Sequence, residues 1–211
     1  MPKRIADTQI FQAVMDTIAA SGYAGATTRQ IAATAGVSEI TLFRKYGTKA
    51  ELVTRTIAAL VDRSAFRSAT RYTGDLRADL TRVLQAYRDV VVQHDRFFSV
   101  LLGELQRTPE LAGSFEQPLK LFQAIGRLLA RYQKAGVLRP EPPLHGVAAL
   151  LGPLIYLALI RQSTPGLAVP PPVVDVHLDH FLGGRACTGP SKHQGRPAVN
   201  SSGVGSKGKR R

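Results

Sequence analysis

The stretch Thr27–Lys49, TTRQIAATAGVSEITLFRKYGTK, constrains this chain more than any other. Gly36 separates two short helix-forming runs, and a glycine there supplies the left-handed backbone that ends one helix abruptly, with Val37 tucked under the corner. Thr27 and Gln30 make the T-x-x-Q pattern of a capping box, Ser38 is a cap for the second helix, and Thr48 with Glu51 repeats the box for a third. Ile31, Ala32 and Ala35 give the first of these helices one apolar face. Helices this short are marginal alone, so another element must pack them. From Asp7 to Ser21, Ile10, Phe11, Val14, Met15 and Ile18 recur at helical spacing before Gly22 stops the run. That helix supplies the missing packing, and the predicted unit is a three-helix core followed by a connector.

The second short helix, Glu39 to Tyr46, carries the informative surface. At about 100° per residue Leu42 and Tyr46 share a face, which is assigned to the core. Ile40, Thr41 and Arg44 then point outward, with Glu39, Phe43 and Lys45 on the flanks. One reading is a solvated surface helix with a single exposed isoleucine. The other is a helix that enters the major groove of DNA, where apolar groups meet thymine methyls and charged groups meet bases or phosphates. The pairing of Ile40 with Arg44 on one outward face favours the groove.

The ordered run Gly22-Tyr23, Thr28, Ile31-Ala32, Ala35-Gly36-Val37-Ser38, Thr41-Leu42-Phe43, Lys49 and Leu52 resembles the amino-terminal domain of TetR-type transcriptional repressors. The resemblance covers roughly the first quarter of the chain; the rest fits by architecture alone. It implies that Thr28 binds phosphate, that Arg29 reaches a base edge or phosphate, and that Glu39 and Ile40 stand where bases are read. A glutamate can accept from cytosine N4 and an isoleucine can pack on a thymine methyl. Glu39 is equally readable as a first-turn acid that suits the helix dipole. Thr41, Arg44, Lys45 and Lys49 are implied to hold the DNA backbone, which sets register without reading sequence. Two positions depart from the family. Phe43 stands where a tyrosine often bonds a phosphate, and Tyr46 replaces a phenylalanine, so its hydroxyl must sit at the edge of the core.

Beyond this head, sparse aromatics, no tryptophan and little β-branched alternation favour an all-α protein of about nine helices. A connector helix is expected from about 49 to 71, with Leu52, Val53, Ile57, Leu60 and Val61 on its buried side. Thr73-Gly74 marks the change to a second unit. This divides the chain into a DNA-binding head at 1–52, a ligand-binding and dimerisation part at 72–183, and a basic tail at 184–211. The tail is rich in Gly, Ser and Pro and is expected to be disordered. It carries seven basic and no acidic residues, so the net charge of +13 falls to +6 for the rest, and the body is only mildly basic. Pro2-Lys3-Arg4 reads as a loose arm.

VAALLGPLIYLALI, Val147–Ile160, is apolar on every side yet shorter than the roughly 20 residues of a membrane span, so no membrane is expected. Sharing it with a second subunit is the simplest way to bury it, with a kink at Gly152-Pro153. The predicted dimer interface combines Leu150, Leu154 and Leu157 with Val174, His177, Leu178 and Phe181 from a last short helix.

No catalytic motif is present. The lone Cys187 excludes an internal disulfide framework, no apolar run follows Lys3 and Arg4 as in a signal peptide, and the expected setting is cytoplasmic, on the nucleoid. His177 and His180 with Asp175 and Asp179 sketch a metal site but fit an interface rim better, so neither metal nor cofactor is expected. The residues and the resemblance together predict a homodimeric, ligand-responsive regulator, a repressor acting on a palindromic operator in double-stranded DNA and not an enzyme. Its small-molecule effector, of unknown identity, is expected to be apolar or aromatic, with pocket candidates Tyr87, Phe97, Phe98, Phe122, Tyr132, His145 and Tyr156. The rival is a helical carrier or enzyme whose amino-terminal bundle is structural.

Overall fold

The computed structural model describes residues 6–63, 65–164, 166, 168, 170 and 172–187. These form ten α-helices, in line with the expected nine or so, and one 3₁₀ segment, with no strand among them. The Pro2-Lys3-Arg4 arm and positions 188–211 of the tail lie outside the described residues.

The head comprises α1 (Asp7–Gly25), α2 (Thr28–Ala35), α3 (Glu39–Tyr46) and α4 (Lys49–Arg63). Gly22, at φ +73°, breaks the helical backbone of α1 where the pattern places its stop. The capping box on α2 is complete: Gln30 N–H donates to Thr27 Oγ1 at 3.1 Å, and Thr27 N–H donates to Gln30 Oε1 at 2.9 Å. At Gly36 (φ +68°) the glycine N–H donates to Ala33 O at 3.2 Å and Val37 N–H to Ala32 O at 3.0 Å, closing the corner by satisfying the last carbonyls. The box expected on α4 is only half made. Glu51 N–H donates to Thr48 Oγ1, but the Glu51 carboxylate accepts from Arg55 instead, one turn on. Ile10, Val14, Ile18, Ile31, Leu42, Leu52 and Val53 meet in one buried core.

That core does not close on itself. Phe97 and Leu101 of α7 (Asp95–Glu104) and Leu111 of the 3₁₀ segment Pro109–Phe115 belong to it, so the second half of the chain packs directly onto α1 and α4. The connector is also shorter than expected. It ends at Arg63, and a separate turn of helix, α5 (Phe66–Ala69), buries Phe66 and Ala69 against the other core. Both side chains are drawn inward, away from the expected line of the connector helix.

The body is built from α5, α6 (Leu76–Gln93), α8 (Glu116–Lys134), α9 (Pro143–Ser163) and α10 (Val174–Arg185) around Leu80, Leu84, Ile125, Leu128, Leu129, Leu150 and Leu178. One carboxylate, Asp79, is fully buried there. It accepts from Thr73 N–H at 2.8 Å, Thr73 Oγ1 at 2.5 Å, Tyr132 OH at 2.6 Å and the Arg82 guanidinium. Burial alone would raise its carboxyl, but the bonds from Thr73 and Tyr132 outweigh it and bring the group down to about 2. This network pins the Thr73–Asp75 link between α5 and α6 onto α8.

Helix α9 runs without a break in its helical backbone through Pro153, where a kink was expected, and is longer than the apolar core of its sequence. By length and composition it would suffice to cross a membrane, yet Leu150, Leu151, Leu154 and Ala158 pack into the body core. The chain stays ordered past Gly183, where the tail was expected to begin. Arg185 pairs with Glu141 at 2.9 Å, and Cys187 N–H donates to Val137 O at 2.9 Å.

Candidate nucleic-acid interface and effector cavity

Helix α3 sits on the head as the capped turn directs. Ser38 Oγ accepts from Thr41 N–H at 3.3 Å, and Leu42 and Tyr46 are buried. The outward face therefore carries Ile40, 78 % exposed, and Phe43, 51 % exposed, one turn apart. Arg44 lies beside them and Arg29 projects from the first turn of α2. Both are exposed and hold no hydrogen bond or ion pair among the described residues. A pair of exposed apolar side chains flanked by free guanidinium groups is the chemistry that base methyls and phosphates require.

The other site residues are engaged within the protein. Thr28 Oγ1 donates to Glu39 Oε1 at 2.5 Å, tying the first turn of α2 to that of α3. Lys45 turns back to Asp7, whose second contact is the Tyr46 hydroxyl at 3.1 Å, the core-edge partner that the extra oxygen needs. The hydrogen bond from Lys45 holds the Asp7 carboxyl below its usual range. Lys49 is held most closely of all. Its ammonium donates to Tyr23 O at 2.7 Å and Ala26 O at 3.1 Å and lies 4.1 Å from the centre of the Tyr23 ring. Burial lowers its ammonium below the usual lysine range. Its charge thus ties the α1–α2 link to the start of α4. Thr41 is half-buried, its hydroxyl 2.8 Å from Ser38 Oγ.

A cavity of about 140 Å³ lies where α4 to α9 and the 3₁₀ segment converge. Of the seven pocket candidates, Tyr87, Phe98 and Phe122 line it. The other four do not. Phe97 is buried in the head core, and Tyr132 is held in the body core by Asp79 and by Tyr72, whose ring centre is 4.7 Å away. His145 is exposed, and Tyr156 is 62 % exposed on the outside of α9. Ile57 and Val61 of α4 complete one wall, joining the cavity to the helix that follows the head. They were missed because an apolar position lining a void has the same pattern as one filling a core.

The expected dimer residues are also largely committed within the protomer. Leu150, Leu154, Val174, Leu178 and Phe181 are in its own core, and His177 Nε2 is 2.7 Å from Leu150 O. Leu157 is half-buried. A helix apolar on all sides does not reveal which stripe faces inward, and the outward one carries Leu144 and Tyr156, with Val173 and Val176 at and in α10. Asp179 pairs with Arg77, and no cluster able to hold a metal ion occurs among the described residues.

A helix-turn-helix head carrying an exposed α3, on an all-helical body with an apolar cavity, defines a class of DNA-binding regulators. Residues 10–56 match the family described as bacterial regulatory proteins, tetR family, and residues 70–176 match the tetracyclin repressor-like C-terminal domain. The chain belongs to the TetR family of transcriptional regulators. It is 30 % identical over 105 residues to HTH-type transcriptional regulators of Mycobacterium bovis and Mycobacterium tuberculosis, a match covering 50 % of each chain. The chain thus spans about half the length of the curated relatives it matches. Among solved structures it resembles NalD, the secondary repressor of the MexAB-OprM multidrug efflux pump in Pseudomonas aeruginosa, at 23 % identity and TM-score 0.64, covering 85 % of this chain and 96 % of that one. The flavonoid-responsive regulator FrrA is 20 % identical with TM-score 0.58, over 85 % and 96 % of the two chains. These structural likenesses establish the fold.

Proposed function

We propose that the chain is a ligand-responsive transcriptional repressor that binds a palindromic operator as a homodimer and lets go when a small apolar or aromatic effector fills the cavity. The observation that carries this is the exposed pair Ile40 and Phe43, held outward by a fully capped turn beside free Arg29 and Arg44. An apolar face of this kind has no use in water and a direct use against thymine methyls.

In this reading residues up to 52 form the DNA-binding head, α4 is the connector, and 72–183 form the effector and dimerisation part. Ile40 and Phe43 meet base edges or sugars, Arg29 and Arg44 grip phosphate, and Thr41 assists them. Thr28 and Glu39 stand at the groove after releasing one another, Lys45 after leaving Asp7, while Lys49 positions the head without touching DNA. The exposed faces around Tyr156 and Val176 are the surface for the second copy. Such a regulator works on the nucleoid, in the cytoplasm. Filling a cavity walled by Ile57 and Val61 favours one placement of α4, and a ligand that prefers the wrongly spaced pair of heads weakens DNA binding.

A gel-shift at moderate salt with the DNA upstream of the chain's own coding region tests the reading. Binding to a palindromic site there, retained when residues 188–211 are removed, is the expected result. No binding to any palindrome, or binding that vanishes with the tail, contradicts it.

A further inference from the structure

We infer that the cavity takes a single-ring, uncharged molecule with one hydrogen-bond acceptor, of the aryl ketone or ester class, and that the Tyr87 hydroxyl holds that acceptor. The inference rests on the regulator reading for its consequence on DNA, though its binding chemistry stands on the cavity itself.

Size comes first. At about 140 Å³ the cavity matches the roughly 150 Å³ apolar void known to hold one benzene. Polarity decides the rest. Among the described residues, only Tyr87, Asp95, Ser99 and Ser114 bring polar side chains to its lining. Ser114 Oγ donates to Leu111 O at 2.6 Å, Asp95 accepts from Arg96 N–H at 2.6 Å, and Ser99 is partly exposed to water. Tyr87 alone is both deeply buried, at 7 % exposure, and without a hydrogen-bond partner among the described residues. Its hydroxyl is not sealed from open space, so a ligand acceptor in the cavity would take the place of water as its partner. Burial also pushes the Tyr87 phenol above its ordinary range, so it remains a protonated donor.

The same lining excludes charge. No lysine, arginine or histidine among the described residues lines the cavity, so a carboxylate ligand would be buried beside Asp95 with no counter-charge from them. The Asp95 carboxylate faces the first turn of its own helix and is only partly buried, which leaves an ammonium little to gain at the Tyr87 end.

The test measures dissociation constants of four one-ring probes on the full chain without DNA, by ligand-observed NMR: acetophenone, ethylbenzene, benzoate and 1-phenylethylammonium. Acetophenone should bind about tenfold tighter than ethylbenzene. Tyr87→Phe, which keeps the ring and its packing, should erase that gap while leaving ethylbenzene unchanged. Benzoate or the ammonium binding as well as the ketone, a gap that survives Tyr87→Phe, or no binding by any probe would each overturn the assignment. Because DNA is absent, these outcomes are separate from those of the gel-shift: a protein that binds the ketone but no operator sinks the regulator reading alone.

Discussion

The head and the body use the same helical alphabet and differ in how each helix knows which way to face. In the head, the short helices have their ends set by local groups: the side chains of Thr27, Gln30, Ser38 and Thr48 and the backbone N–H of Gly36 each satisfy a backbone group within a few residues. In the body, long helices are oriented by packing and by one buried carboxylate, Asp79, which joins its near neighbours Thr73 and Arg82 to Tyr132, 53 positions away on α8. Local rules orient the recognition surface; long-range rules shape the cavity. Effects of mutation should divide along the same line.

The largest expected effect is in the body. Asp79→Ala takes the acceptor from the buried Tyr132 hydroxyl and from Thr73 N–H and Oγ1 and should cost about 3–5 kcal/mol in urea unfolding. A loss below about 1 kcal/mol would mean that the network does not organise the body. The same carboxylate makes stability pH-dependent. Its folded value of about 2 lies below the ordinary 3.8, so its contribution is full above pH 4 and is lost as pH falls toward 2. Wild type should therefore shed stability through that window, and Asp79→Asn should lose that component of the acid response.

Lys49 separates the two regions next. Bonded to Tyr23 O and Ala26 O, it should cost about 1.5–3 kcal/mol of stability on mutation to Ala while the salt dependence of DNA binding stays unchanged. If it gripped phosphate instead, the salt slope would fall by about 1 with stability intact. Smaller still is the turn itself. Gly36→Ala forces a side chain onto a backbone at φ +68° and should cost about 1 kcal/mol, with Thr27→Ala similar, both read from thermal melts.

The contrast also explains what could be read from residues alone. Caps and turns are local, so the head's helices, its buried Leu42 and Tyr46 and its exposed Ile40 followed from spacing. The fate of Lys49 and Lys45 did not, because their partners Ala26 and Asp7 are placed by the packing of α1. In the body, Val147–Ile160 is apolar all round, so the choice between an inward Leu150 and an outward Tyr156 lay in the neighbouring helices. Tyr132 looked like a pocket aromatic, but its partner Asp79 lies 53 positions away.

The central claim is that the exposed face of α3 reads bases. Binding of the full chain and of Ile40→Ala to the operator, with each thymine replaced in turn by deoxyuridine, tests it most directly. Removing one thymine methyl should weaken wild type by about 1 kcal/mol and leave Ile40→Ala indifferent at that position, with the stability of the variant within about 0.5 kcal/mol of wild type. Equal sensitivity of the two proteins at every thymine, or none in either, would contradict the account.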